Sequence, residues 1–138
     1  MVCGDPEIAI AGLSEAEARE QGWDPITAPF PLAASGRAAT IGHKGQGFLS
    51  LVADRSTGAV LGAHCVGPHA SELIGEGVLA IEMGATLEDH AGTGHPPPTL
   101  SDQYPEAAHL ALGRPVSWPS PRSQARSVKR EGKGTGDA

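Results

Sequence analysis

Two β-rich runs, Gly47 to Ala53 and Ala59 to Val66, flank the segment Asp54-Arg-Ser-Thr-Gly58, and no other stretch constrains the fold as much. A short polar turn ending in glycine lets the backbone reverse without steric penalty, so the two runs predict an antiparallel hairpin. Ile8 to Ala11, Ile26 to Leu32 and Ala38 to Ile41 extend the β portion. The second of these carries Pro29 and Pro31, which a central strand does not tolerate, so it is expected at a sheet edge.

Helical signals are interleaved and then dominate. Ser14 stands three residues before Glu17, a capping pattern that predicts a short helix from Glu15 to Gln21, closed by Gly22 and Asp24-Pro25. Ser71 to Met83 repeats apolar residues at Ile74, Val78 and Ile81, with Leu73 and Leu79 beside them and Gly84 at the end, which is helical spacing with one buried stripe. Thr86 with Asp89 starts a shorter helix, and Pro105 to Leu112 supplies a last one. Between them, Gly92 to Pro98 is a stiff loop, because three successive prolines exclude helix and central strand alike. With no repeated βαβ unit, this order implies an α+β domain: an antiparallel sheet of about five strands with helices packed on one side.

The 138 residues suffice for one such domain, expected over 1–116. From Ser117 the chain turns to Ser, Pro, Gly, Lys and Arg, and 117–138 is expected to be a disordered basic tail. Lys plus Arg number 10 against 16 Asp plus Glu, and a net charge of −6 excludes a general nucleic-acid binder. No run approaches the roughly 20 apolar residues of a membrane helix, and the first residues lack a signal pattern, so a cytoplasmic protein without membrane contact is expected. Cys3 and Cys65 lie far apart and form no Cys-x-x-Cys pair.

Four segments then carry a likeness: Asp5-Pro-Glu-Ile-Ala9 with Gly12-Leu-Ser14, Gly58-Ala-Val-Leu-Gly-Ala63, Val66-Gly-Pro-His-Ala-Ser-Glu-Leu-Ile74 and Pro98-Thr-Leu-Ser-Asp102. In this order and spacing the chain, over about residues 2–115, resembles the dimerisation domain of pyridine nucleotide-disulfide oxidoreductases, the family of dihydrolipoamide dehydrogenase and mercuric reductase. The resemblance implies a homodimer. It also sets two departures in view. The family's glycine-rich flavin unit and reactive cysteine pair have no counterpart here, so no cofactor is expected. In addition, the family's His-any-His-Pro-Thr loop aligns with His95 at the first histidine, Pro97 at the acid/base histidine and Asp102 at the glutamate that orients it. Proline has no side-chain proton to exchange.

Two function classes follow. The first is a non-redox module that pairs with its twin through the sheet and the Ser71 to Met83 helix. The second is a cofactor-free acid/base enzyme, of cyclase, isomerase or hydratase type, with a small-molecule ligand beside His95, Asp102, Tyr104 and Glu106. A portion of a longer reductase is a third reading. The pairs His64 with His69 and His90 with His95 match no strong zinc spacing, so no metal site is expected.

Overall fold

The computed structural model describes residues 6–40 and 46–114. The tail expected over 117–138, together with Cys3, Asp5 and Ile41, lies outside the described residues. In chain order the elements are β1 (Ile8–Gly12), α1 (Glu15–Glu20), β2 (Pro25–Pro31), α2 (Gly36–Thr40), β3 (Phe48–Asp54), β4 (Val60–Val66), α3 (Ala70–Met83), α4 (Leu87–Gly92) and α5 (Gln103–Ala111). Single 3₁₀ turns, Leu32–Ala34 and Leu100–Asp102, precede α2 and α5. All strand pairings are antiparallel, in the order β1-β4-β3-β2.

The expected hairpin therefore occupies the middle of the sheet, and the proline-bearing strand takes an edge. The turn holds itself together: Asp54 Oδ2 accepts from Ser56 Oγ at 2.6 Å, Thr57 Oγ1 at 2.8 Å and the Thr57 N–H at 3.2 Å. These donors, Ser56 first and then Thr57, hold the Asp54 carboxyl below its usual range. The sequence overcounts the strands, for the sheet has four among the described residues rather than about five. The stretch from Gly36 to Thr40, expected to be extended from Ala38 onward, is helical. Its consecutive alanines favour helix, and Ser35 Oγ accepts from the Ala38 N–H at 3.4 Å at its start.

Alternation along the strands divides the sheet into two faces. Ala9, Cys65, Leu49 and Phe30 form one row across all four strands, with Ala63 and Leu51 in the next and Val60 and Ala53 beyond. All eight are buried, and α3, α4 and α5 cover them with Ala70, Leu87, Tyr104, Ala107, Ala108 and Ala111. On the opposite face Thr27 and Ser50 share a hydroxyl hydrogen bond of 2.8 Å. There the backbone leaving β1 crosses β4: the Leu13 N–H donates to Leu61 C=O at 2.9 Å, and His64 Nε2 lies 3.2 Å from Leu13 C=O. Only a residue without a side chain fits beneath that crossing, since a Cβ on Gly62 would stand 2.0 Å from Leu13 C=O. The β3–β4 register also slips beside it, Val52 facing Gly62 and Ala53 facing Val60.

The helix ends follow the sequence signals. Ser14 Oγ accepts from the Glu17 N–H while Glu17 Oε2 accepts from the Ser14 N–H at 2.7 Å. Thr86 and Asp89 repeat the same reciprocal cap on α4. None of the helices among the described residues is long and apolar enough to cross a membrane.

Candidate functional site

α3 is the element around which the site is built. Its first turn is fixed to the start of β1, since Glu7 Oε2 accepts from the Ser71 N–H at 3.0 Å and Ser71 Oγ at 2.8 Å. Those two bonds, the backbone one first, hold the Glu7 carboxyl low. Beginning in that same turn, Glu72 and Glu76 lie four residues apart, on one side of the helix.

Glu76 gathers two histidines from distant parts of the chain. His95 Nε2 lies 2.8 Å from Glu76 Oε1, and His90 Nδ1 lies 3.2 Å from the same oxygen. His95 places its other nitrogen, Nδ1, 3.0 Å from Thr93 C=O. The side chains of His90 and His95 retain only 5% and 8% of their exposure, against 31% for Glu76, so the three form a largely sheltered cluster. Burial pushes the Glu76 carboxyl up, but the hydrogen bonds from His90 and His95 and their charges outweigh it and hold the group below its usual range. The sign of the pH dependence follows. A lowered folded value stabilises the domain above the ordinary carboxyl range, and that contribution is lost as pH falls through the folded value.

Tyr104 closes the cluster from α5. Its ring stacks on His90 with centroids 5.2 Å apart and 12° between planes. Its hydroxyl accepts from the Gly77 N–H at 3.0 Å and donates to Leu73 C=O at 2.6 Å. Burial is the first cause that pushes this hydroxyl far above the ordinary phenol range. Nearby Cys65 is also buried, and burial raises its thiol to about 11, which leaves little thiolate at neutral pH.

The proline loop and α3 enclose a cleft of about 640 Å³, lined by Arg37, His69, Glu72, Leu73, Glu76 and Pro98–Ser101. His69, at the head of α3, adopts a left-handed φ of 59° on its rim. A separate depression of about 100 Å³ has Asp102 and Glu106 among its lining residues.

The four side chains singled out from the sequence thus fall in three places. His95 binds Glu76 behind the cleft. Tyr104 is fully buried and bonded to the α3 backbone. Asp102 and Glu106 flank the smaller depression, with Asp102 Oδ2 accepting from the Thr99 N–H at 3.1 Å. Sequence reading missed Glu76 and the partnership of His90. Glu76 was visible only as the fourth-residue neighbour of Glu72, and the five-residue spacing of the histidines does not show that a third group joins them. Both histidines address one carboxylate oxygen, and no set of three or more His, Cys, Asp or Glu side chains among the described residues is placed to hold a metal ion.

Comparison with known proteins gives a consistent result. The family model for the dimerisation domain of pyridine nucleotide-disulphide oxidoreductases matches residues 1–108. The dihydrolipoyl dehydrogenase of Halobacterium salinarum is 57% identical over 112 residues, which make up 81% of this chain and 23% of that protein. That of Bacillus subtilis is 44% identical over 116 residues, or 84% of this chain and 24% of its own. The crystal structure of LpdA from Mycobacterium tuberculosis is similar with a TM-score of 0.72 at 33% identity, over 78% of this chain and 23% of that one. The chain spans about a quarter of the length of these relatives.

Proposed function

We propose, from the premise that this chain belongs to the pyridine nucleotide-disulphide oxidoreductase family through its dimerisation domain, that it acts as a homodimerising module which holds no flavin itself. The observation that carries this reading is the outer side of α3. Val78, expected from its spacing to lie in the buried stripe, is instead 46% exposed there, beside Leu79 and Met83 at 62% and 75%, while the opposite side of the same helix packs on the sheet. Neighbouring apolar side chains left in water on a two-sided helix favour a partner that covers them. A twofold dimer does so by bringing identical helices together.

Analytical ultracentrifugation of the full chain tests the proposal. A dimer is expected at about 10 μM, corresponding to the micromolar affinity of a modest interface. Leu79→Glu combined with Met83→Glu should give a monomer with an unchanged circular dichroism spectrum. A monomeric native chain, or a doubly substituted chain that stays dimeric, defeats the proposal. The absence of bound flavin is tested on the same sample by its visible spectrum, which should show no flavin band.

The cleft beside the proline loop favours a second reading, in which a small ligand sits against Pro98–Ser101 and meets the Glu76 carboxylate, with His95 held behind that carboxylate, Asp102 and Glu106 at the separate smaller depression and Tyr104 as a fixed support. Chemical-shift mapping with small carboxylates and amines tests it. Shifts confined to Thr99, Ser101 and the α3 residues of the cleft support the reading. No shift at about 1 mM, a weak-binding concentration, ends it.

A further inference from the structure

We infer, resting on the pairing of α3 with its copy, that like charge weakens the seam between the two helices, so that ionic strength sets how far the chain assembles. Successive residues of a helix turn by about 100°, which places Glu72, Glu76, Glu82 and Met83 within about 60° of the direction of Leu79. Glu72 and Glu82 are exposed, and Glu76 keeps 31% of its exposure. The surface that offers Leu79 and Met83 to a partner therefore offers three carboxylates with them. Nothing on the helix offsets their charge, because α3 contains no lysine or arginine. Among the described residues Glu76 has its two histidines, whereas Glu72 and Glu82 form no ion pair. Arg19, Arg55 and Arg114 are engaged elsewhere, by Glu15, Asp24 and Glu88. Arg37 lines the cleft beside the first half of α3, which does not include Glu82.

Symmetry decides what these carboxylates meet. A twofold axis relates identical helices either antiparallel or parallel. In an antiparallel pair centred on Leu79, positions three residues before and three after it face each other, so Glu82 of one copy meets Glu76 of the other. Centred two residues earlier, at the level of Gly77, the pair sets Glu82 against Glu72. In a parallel pair each glutamate meets its own counterpart. Each arrangement brings carboxylate against carboxylate across helices whose axes pack about 8–10 Å apart. Repulsion at that range acts fully in dilute salt, where the Debye length is about 30 Å at about 0.01 M. It is screened at about 1 M, where that length is about 3 Å. The apolar contacts of Leu79 and Met83 are not weakened by the added salt, so the balance shifts toward the dimer.

Sedimentation equilibrium of the full chain in sodium chloride at about 0.01, about 0.15 and about 1 M tests this. The dissociation constant should fall about tenfold from the lowest salt to the highest, the scale of a few like-charge contacts. Glu72→Gln with Glu82→Gln keeps the shape of the face and removes two charges per copy. That dimer should be about tenfold tighter in dilute salt and change by less than about twofold across the series. Glu15→Gln with Glu20→Gln removes as many charges from α1, which packs on β2, and should keep the native dependence. A dimer indifferent to salt, or a Glu72 and Glu82 variant with the native dependence, overturns the inference and leaves the dimer standing. A dimer that salt weakens overturns it as well, and points to the basic residues of 117–138 as the offsetting charge. A chain that stays monomeric up to about 1 M salt defeats the α3 pairing and the charge effect together.

Discussion

Tyr104→Ala should lower the unfolding free energy by about 4 kcal/mol, the scale found for removing a buried aromatic ring. Against a total of about 5–15 kcal/mol for a small domain, that removes between about a quarter and four-fifths of the stability. The ring is completely buried between α3, α4 and the sheet, and it stacks on His90. Its hydroxyl has a further role, visible in the numbering of its partners. Leu73 and Gly77 are four residues apart, the pair that an ideal helix joins directly, and the phenol bridges them by accepting from one and donating to the other. Tyr104→Phe keeps the ring and removes the bridge, so it should cost about 2 kcal/mol, the penalty for buried groups that lose a partner. Urea unfolding followed by circular dichroism checks both values. If Tyr104→Phe matches the native midpoint, the bridge has no energetic weight.

Gly62→Ala should cost about 3 kcal/mol, the upper range for overpacking. An alanine in a strand would ordinarily gain about 0.5–1 kcal/mol over glycine. Here the added methyl would lie 2.0 Å from Leu13 C=O and 3.0 Å from Leu13 N, both backbone atoms that no rotamer change can move aside. The crossing strand must lift, and the Leu13 to Leu61 hydrogen bond is strained or lost with it. The clash outweighs the propensity gain. A thermal midpoint equal to or above the native one would show that the crossing is loose.

Much of the architecture was legible because local signals agreed with tertiary ones. The Asp54 turn, the two reciprocal caps at Ser14 and Thr86, and the apolar stripe of α3 each specify an element through residues near one another in sequence. The stretch around Ala38 was misread because a short apolar run has no period that separates strand from helix, and the helix preference of alanine then decided the outcome. The site was less legible. Glu76 meets His95 across nineteen residues and His90 across fourteen, so nothing local announces the cluster. Tyr104 was recognised as a polar aromatic near the loop, but no sequence pattern tells whether its hydroxyl faces a cleft or a helix backbone.

The three prolines of β2 have one more consequence. A proline can join a paired strand only where its missing N–H would have faced away from the neighbour. Pro25, Pro29 and Pro31 are all odd-numbered, so along the rim of the sheet beyond β2 only Thr27 still offers a backbone donor. That rim cannot template polymerisation, and any growth of this sheet by strand addition must proceed from the outer side of β1.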